Sequence, residues 1–220
     1  MIEIYPHADA LADEAAAAVA ARLREGLATH GRAGLVATGG RSPGPVYDRL
    51  RSMDLGWSRV VVTLSDDRCV AADDPASNAR LVRERLLRDA AERAHFLPLW
   101  PAPEPAALAA LLPFDAVLLG MGEDGHVASL IAGDPDLEAA LTTDNLTCPV
   151  PAGLGKPPLA RITLTLHALL QARAVFLLIA GEAKRQVLAR AQAGEDLPVG
   201  RLLSKSRAPV RIFWCPEHGG

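Results

Sequence analysis

The sequence predicts one α/β domain in three layers (α/β/α), with helices on both faces of a mostly parallel, Rossmann-like sheet. Three observations predict it. Short apolar runs alternate with stretches of helical periodicity, which is the grammar of βαβ units. The run Asp115-Ala-Val-Leu-Leu119 is apolar without interruption after its first residue, as expected of a strand buried on both faces and therefore parallel. Several such runs end in glycine-rich or charged loops directly ahead of a helix. A chain of 220 residues exceeds the usual domain size, yet α/β folds of this length close around one core. Residues 1–220 are therefore read as a single domain.

From Asp9 to about Thr29, alanines with Leu11, Val19, Leu23 and Leu27 recur at helical spacing, and Gly31 supplies a stop. The alanine-rich stretch from Ala15 to Ala21 is flanked by Asp13, Glu14, Arg22 and Arg24, so it reads as an ordinary helix and not as a leader or membrane span. Gly34 to Thr38 is a strand; Gly39-Gly40 forms the loop, and Pro43 and Pro45 open a helix. Arg59 to Leu64 repeats the pattern, followed by an acidic loop at Asp66-Asp67-Arg68 and a helix from about Pro75 to Asp89. His95 to Leu99 is a further strand, linked by the proline-rich stretch Pro101 to Pro105 to a helix ending near Pro113. Asp115 to Leu119 and Ala174 to Ala180 are strands, the second leading through Gly181 into a helix that carries Lys184, and Val210 to Trp214 is the last strand.

Composition narrows the function. Hydrophobic residues make up 50% of the chain and charged residues 22%, enough for a packed core. A net charge of -3 offers no general attraction to nucleic acid or an anionic membrane surface, so the expected partner is a small molecule. Cys69, Cys148 and Cys215 are odd in number and lack CxxC spacing, which points to reduced thiols in the cytoplasm and away from a disulfide framework or zinc cluster.

In a parallel sheet, ligands sit beyond the carboxyl ends of the strands, so the loops after strands carry the candidate chemistry. Gly39 and Gly40 let the backbone approach an anion at a helix N-terminus, with Ser42 adding a hydroxyl; a plain tight turn uses the same residues. Gly120-Met-Gly-Glu-Asp-Gly125 matches GxGxxG, but Glu123 and Asp124 would put negative charge where a pyrophosphate must lie, so a dinucleotide is not expected. His126 follows that loop, where an imidazole can take a proton from water near neutral pH. His167 instead sits on an apolar helix face; His7, His30 and His218 read as surface residues and His95 opens a strand. Arg68 is placed to hold a phosphate or carboxylate and Asp66 to orient the imidazole, although a solvated charged turn is the commoner fate of such a triplet. A metal held by Asp66, Asp124 and His126 lacks supporting spacing. Lys184 lies in the first turn of a helix, where a cation opposes the dipole, so anion binding explains it better than packing. Arg161 is a second cation, with a surface arginine as its ordinary reading.

With these residues in view, the sequence resembles the 6-phosphogluconolactonases, which share their fold with glucosamine-6-phosphate deaminases. Leu35-Val-Ala-Thr-Gly-Gly-Arg-Ser-Pro43 resembles the family's strand and GGSTP loop, and Ser65-Asp-Asp-Arg68 with Pro75-Ala-Ser-Asn78 its GDER and PxSN segments. Phe114-Asp-Ala-Val-Leu-Leu-Gly-Met-Gly-Glu-Asp-Gly-His-Val-Ala-Ser-Leu130 is similar to FDLxLLGMGxDGHxASLFP, and Arg161-Ile-Thr163 and Gly181-Glu-Ala-Lys184 match the later RxT and GxxK elements. Arg41-Ser42 replaces Ser-Thr, Ser65 and Asp67 replace Gly and Glu, Ile131-Ala132 replaces Phe-Pro, and the ending Trp214-Cys-Pro-Glu217 differs.

The resemblance implies hydrolysis of 6-phospho-D-glucono-1,5-lactone without a cofactor or metal, by a monomer or small homo-oligomer. Its site is then His126 as general base and acid, Asp124 or Asp66 orienting the imidazole, and loop N–H groups or Arg68 stabilising the oxyanion. Gly39, Gly40, Arg41, Ser42, Asn78, Arg161 and Lys184 bind the phosphate and hydroxyls. A deaminase of this fold would resemble DGHxAFNEP, and Val127-Ala-Ser-Leu130 lacks its Asn-Glu pair. A sugar-phosphate sensor would need a DNA-reading helix pair, and none precedes Gly34.

Overall fold

The computed structural model describes residues 2–216; His218 and Glu217 lie outside the described residues. Its centre is a seven-stranded sheet whose neighbouring strands all run parallel. In chain order its strands are β1 (Ile2–Ile4), β2 (Ala33–Ala37), β3 (Val60–Leu64), β5 (His95–Phe96), β6 (Ala116–Gly120), β9 (Val175–Ala180) and β10 (Val210–Cys215). The remaining three, β4 (Asp66–Arg68), β7 (Thr147–Val150) and β8 (Arg161–Leu164), form a second, smaller sheet. The spatial order of the large sheet is β1-β10-β9-β6-β2-β3-β5. Every residue of β2 is buried, as are Ala116 to Leu119 of β6 and Val175 to Ile179 of β9. Consecutive burial in a pleated strand requires cover on both faces.

That cover comes from helices. The long helix α1 (Ala8–His30) lies across β2, β6, β9 and β10, with α2 (Pro43–Leu50) beside it. The helix α7 (Glu182–Gln192) packs on β9, with α6 (Leu166–Leu170) and α8 (Pro198–Lys205) alongside, and α5 (Leu137–Thr142) against α6. His7 caps α1 by accepting from the Ala10 N–H at 3.2 Å. Gly31 ends the same helix in the left-handed region, φ 73°, where glycine carries no Cβ penalty.

Several boundaries differ from the expectation, each for a local reason. The helix expected from Pro75 to Asp89 is α3 (Asn78–Arg85). Ser77 is its N-cap, accepting from the Arg80 N–H at 3.2 Å, and Asp74 ties up the preceding turn through the Ala76 N–H. The strand expected from His95 to Leu99 stops at Phe96, two residues before Pro98, which has no N–H for a ladder. The helix expected to end near Pro113 is only α4 (Pro105–Ala109).

The largest departure is the second sheet. Asp66-Asp67-Arg68, expected as a loop, is a strand that pairs antiparallel with β8, which in turn pairs with β7, giving the order β4-β8-β7. Among the described residues no helix is long and apolar enough to cross a membrane.

Candidate active site

A cavity of about 740 Å³ opens between the two sheets. The carboxyl ends of β2, β6 and β9 give it the loop at Gly39 to Ser42, the segment from Gly120 through His126, and Lys184. The small sheet gives it Asp66, Arg68 and Arg161, and the N-terminus of α3 gives Asn78. Every residue singled out from the sequence therefore lines one cavity. Gly153 to Lys156, which joins β7 to β8, lines it as well.

The histidine loop is held by its own backbone. The Gly122 N–H donates to the His126 carbonyl at 2.9 Å, the Gly125 N–H to the Gly122 carbonyl at 3.2 Å, and the Val199 N–H of α8 to the Gly125 carbonyl at 3.0 Å. A Cβ on Gly122 would overlap both the His126 ring and the Asp124 carboxylate, so only glycine leaves room for the pair. The pair itself is close: His126 Nδ1 lies 2.6 Å from Asp124 Oδ1. The hydrogen bond with His126, the largest influence on Asp124, holds that carboxyl down at about 2 against the opposing effect of burial. An ionised carboxylate only accepts, so Nδ1 donates and Nε2 is the nitrogen left to take a proton.

The expected choice between Asp124 and Asp66 is thereby resolved geometrically, and Asp66 is the correction. Its Oδ2 accepts from the Ser129 hydroxyl at 2.6 Å, and its Oδ1 lies 2.8 Å from Ser65 Oγ and 3.4 Å from Asn78 Nδ2. These partners leave Asp66 in the buried wall, 4% exposed, and not on the imidazole. Asn78 also turns to the wall: its amide donates to the Asp66 carbonyl at 2.8 Å and packs so closely on Gly39 that a Cβ there would overlap it.

Strand alternation explains why β4 is split in its loyalties. Asp66 and Arg68 share one face and line the cavity, while Asp67 points to the other. Asp67, 1% exposed, accepts from the Asn78 N–H at 2.6 Å and the Ala79 N–H at 3.1 Å, anchoring the start of α3. Burial pushes its carboxyl up, against the lowering effect of these hydrogen bonds.

The register places Arg68 directly opposite Arg161. Like charges facing across a ladder destabilise it, and the buried Asp66 carboxylate stands 3.9 Å from Arg161 Nη1. Arg161 is 4% exposed, and both guanidiniums keep a buried Nε–H without an acceptor among the described residues. Burial is the main cause that pulls Arg161 below the usual guanidinium range, and Arg68 adds to it. Lys184, which also lines the cavity, follows Gly181, whose backbone is fixed by the Cys215 carbonyl and by the Trp214 indole donating to it at 2.9 Å. Burial lowers the Lys184 ammonium most, Arg41 lowers it further, and Glu123 and Asp124 oppose both. Ser42 stands at the N-cap of α2 with no capping hydrogen bond from its side chain. Among the described residues no group of three His, Cys, Asp or Glu side chains converges to hold a metal ion.

The sequence gives no role to Ser129, Ser65 or the loop Gly153 to Lys156. Ser129 stands three residues past His126 inside the most distinctive motif, so proximity was a signal. The loop carries Gly-Leu-Gly-Lys just ahead of the strand that presents Arg161, and a Cβ on Gly155 would press on that guanidinium.

The family described as "Glucosamine-6-phosphate isomerases/6-phosphogluconolactonase" matches residues 6–214. A 6-phosphogluconolactonase of Caulobacter vibrioides is 41% identical over 225 residues, covering 97% of this chain and 97% of its own. Another, from Rhizobium meliloti, is 38% identical over 231 residues, covering 98% of each chain. The crystal structure of a 6-phosphogluconolactonase from Shewanella baltica superposes with a TM-score of 0.90 at 35% identity, covering 98% of this chain and 97% of that one. With an imidazole–carboxylate pair and several cations lining one cavity and a match along nearly its whole length, this chain belongs to the glucosamine-6-phosphate isomerase/6-phosphogluconolactonase family.

Proposed function

We propose that this chain hydrolyses 6-phospho-D-glucono-1,5-lactone to 6-phospho-D-gluconate, the second step of the oxidative pentose phosphate pathway, by general acid–base activation of water. The observation that carries the reading is the His126–Asp124 pair, 2.6 Å apart, set in the same cavity as the facing cations Arg68 and Arg161. Asp124 accepts the Nδ1 proton, and Nε2 removes a proton from water as its oxygen attacks the lactone carbonyl. The tetrahedral oxyanion collapses, the bond from the carbonyl carbon to the ring oxygen breaks, and the imidazolium returns its proton to that oxygen. Such help contributes about 10²- to 10⁴-fold in rate. A cyclic ester is already reactive, so holding it in place supplies much of the remainder.

Arg161, Lys184, Gly39, Gly40, Arg41 and Ser42 hold the phosphate and neighbouring hydroxyls, and Arg68 is near enough to Arg161 across the ladder to share the anion or steady the oxyanion. On this reading the enzyme works in the cytoplasm on a small phosphorylated lactone, as a monomer or small homo-oligomer. It needs no cofactor and binds neither nucleic acid nor membrane. The supporting relatives carry the lactonase name along the whole chain length.

The test is acid release from freshly made 6-phosphogluconolactone, with unphosphorylated glucono-1,5-lactone as control and spontaneous hydrolysis subtracted. The phosphorylated lactone is turned over with much the higher kcat/KM, and His126→Ala removes that activity. Full activity in His126→Ala, or ammonia release from glucosamine 6-phosphate with no lactone turnover, would overturn the reading.

A further inference from the structure

The buried wall of the cavity contains a carboxylate and a guanidinium that form only a long ion pair. Arg161 Nη1 and Asp66 Oδ2 are 3.9 Å apart, too far for a hydrogen bond, with both side chains nearly inaccessible. Between them stands Ser129, fully buried, whose hydroxyl donates to Asp66 Oδ2 at 2.6 Å and lies 3.3 Å from Arg161 Nη1, which donates to it. A hydroxyl has one proton to give and lone pairs to receive, so it fits between an acceptor and a donor.

The position of Ser129 is strongly determined. Its N–H donates to Thr163 Oγ1 at 3.1 Å on the neighbouring strand β8. The residue before it, Ala128, has φ 51°, a left-handed conformation uncommon outside glycine. Bridges from Val127 to Met121 and to Leu130 hold the turn in that state. Backbone strain of this kind persists where surrounding contacts over-determine it.

We infer that Ser129 is a positioning residue for substrate binding: its hydroxyl spaces Asp66 from Arg161 and so leaves the guanidinium turned to the cavity's anion. Without the hydroxyl, opposite charges in a water-poor wall close on one another. Arg161 then spends its donors on Asp66, and its field no longer serves the ligand. Arg161 Nη2 is already held by the Pro157 carbonyl at 2.9 Å, so Nη1 and Nε are the groups whose aim the spacer decides.

This rests on the reading of Arg161 as an anion-binding group, and a kinetic cycle separates the two. The full chain is assayed on fresh 6-phosphogluconolactone as wild type, Ser129→Ala, Arg161→Ala and the double variant. Ser129→Ala raises KM about tenfold, the loss expected of one hydrogen bond to a charged group, with kcat within about twofold. In the Arg161→Ala background the same change leaves KM where it was, because groups acting through one another do not add. A rise of equal size in both backgrounds, or a fall in kcat at unchanged KM, overturns the spacer. An Arg161→Ala protein with wild-type KM overturns the anion reading and the spacer together. Should Ser129→Ala lose its cooperative melt, Ser129→Cys, close in size and a much weaker hydrogen-bonding group, reads the same quantities.

Discussion

The two sheets furnish the cavity by different means. The seven-stranded sheet contributes the loops at its strand ends: the diglycine turn after β2, the histidine loop after β6 and the Lys184 turn after β9. The residues of its central strands β2, β6 and β9 are apolar and almost all buried. The three-stranded sheet contributes the strands themselves, with Asp66, Arg68 and Arg161 on one pleated face. Loops at the rim of a parallel sheet can be shaped around a reacting atom, as the Gly122 to His126 turn is. Strand residues are fixed by register and can hold charges against each other, as Arg68 and Arg161 are. The large sheet therefore supplies the His126–Asp124 pair together with part of the anion cradle, and the small one supplies cations fixed by register.

The histidine loop is the most sensitive point of the large sheet's contribution. Gly122→Ala adds only a Cβ, without a demand for a left-handed backbone, yet that atom overlaps the His126 ring and the Asp124 carboxylate. It lowers kcat about 100-fold, the scale of a small misplacement of reacting groups, with little change in melting temperature. A wild-type kcat would detach the pair from the chemistry. Asp124→Asn is milder, about 10- to 100-fold in kcat, because the half-exposed carboxylate orients the imidazole without touching the lactone. Steady-state kinetics on the phosphorylated lactone reads both variants.

On the small sheet the largest expected effect is structural. Asp67→Ala strips the buried acceptor from the start of α3 and lowers the melting temperature by about 4–8 °C, equivalent to about 2 kcal/mol. An unchanged melt would mean that α3 does not depend on β4. The smallest effect is a pH dependence. Lys184 is a cation below its pKa, and burial has brought that pKa under the usual 10.5. Binding of 6-phosphogluconate therefore weakens with rising pH before an ordinary lysine would titrate, and calorimetry shows this limb. In Lys184→Gln the limb disappears; its persistence would assign it elsewhere.

The same contrast explains what could be read from the sequence. Strands of the large sheet announce themselves as apolar runs ending in glycine or a charged turn, so β2, β3, β6, β9 and β10 and the loops behind them were visible. The Lys184 position followed from a dipole argument that needs only the helix start. Asp66-Asp67-Arg68 contains three charged residues and no apolar one, so nothing local marks it as β4. Its pairing with Arg161 spans a long separation in sequence and is fixed only by tertiary contacts. For that reason the choice between Asp66 and Asp124 stayed open, and Ser129 went unnoticed. Similarly, β1 has only three residues and pairs with the far end of the described chain, a contact that periodicity does not reveal.

The division of labour between the sheets is tested most directly by Michaelis curves for His126→Ala and Arg161→Ala on fresh 6-phosphogluconolactone. The first loses kcat by about 100-fold or more at nearly unchanged KM. The second raises KM by about 30-fold or more at nearly unchanged kcat, as removal of a buried charge partner does. The opposite pattern, with His126→Ala altering only KM or Arg161→Ala only kcat, would contradict it.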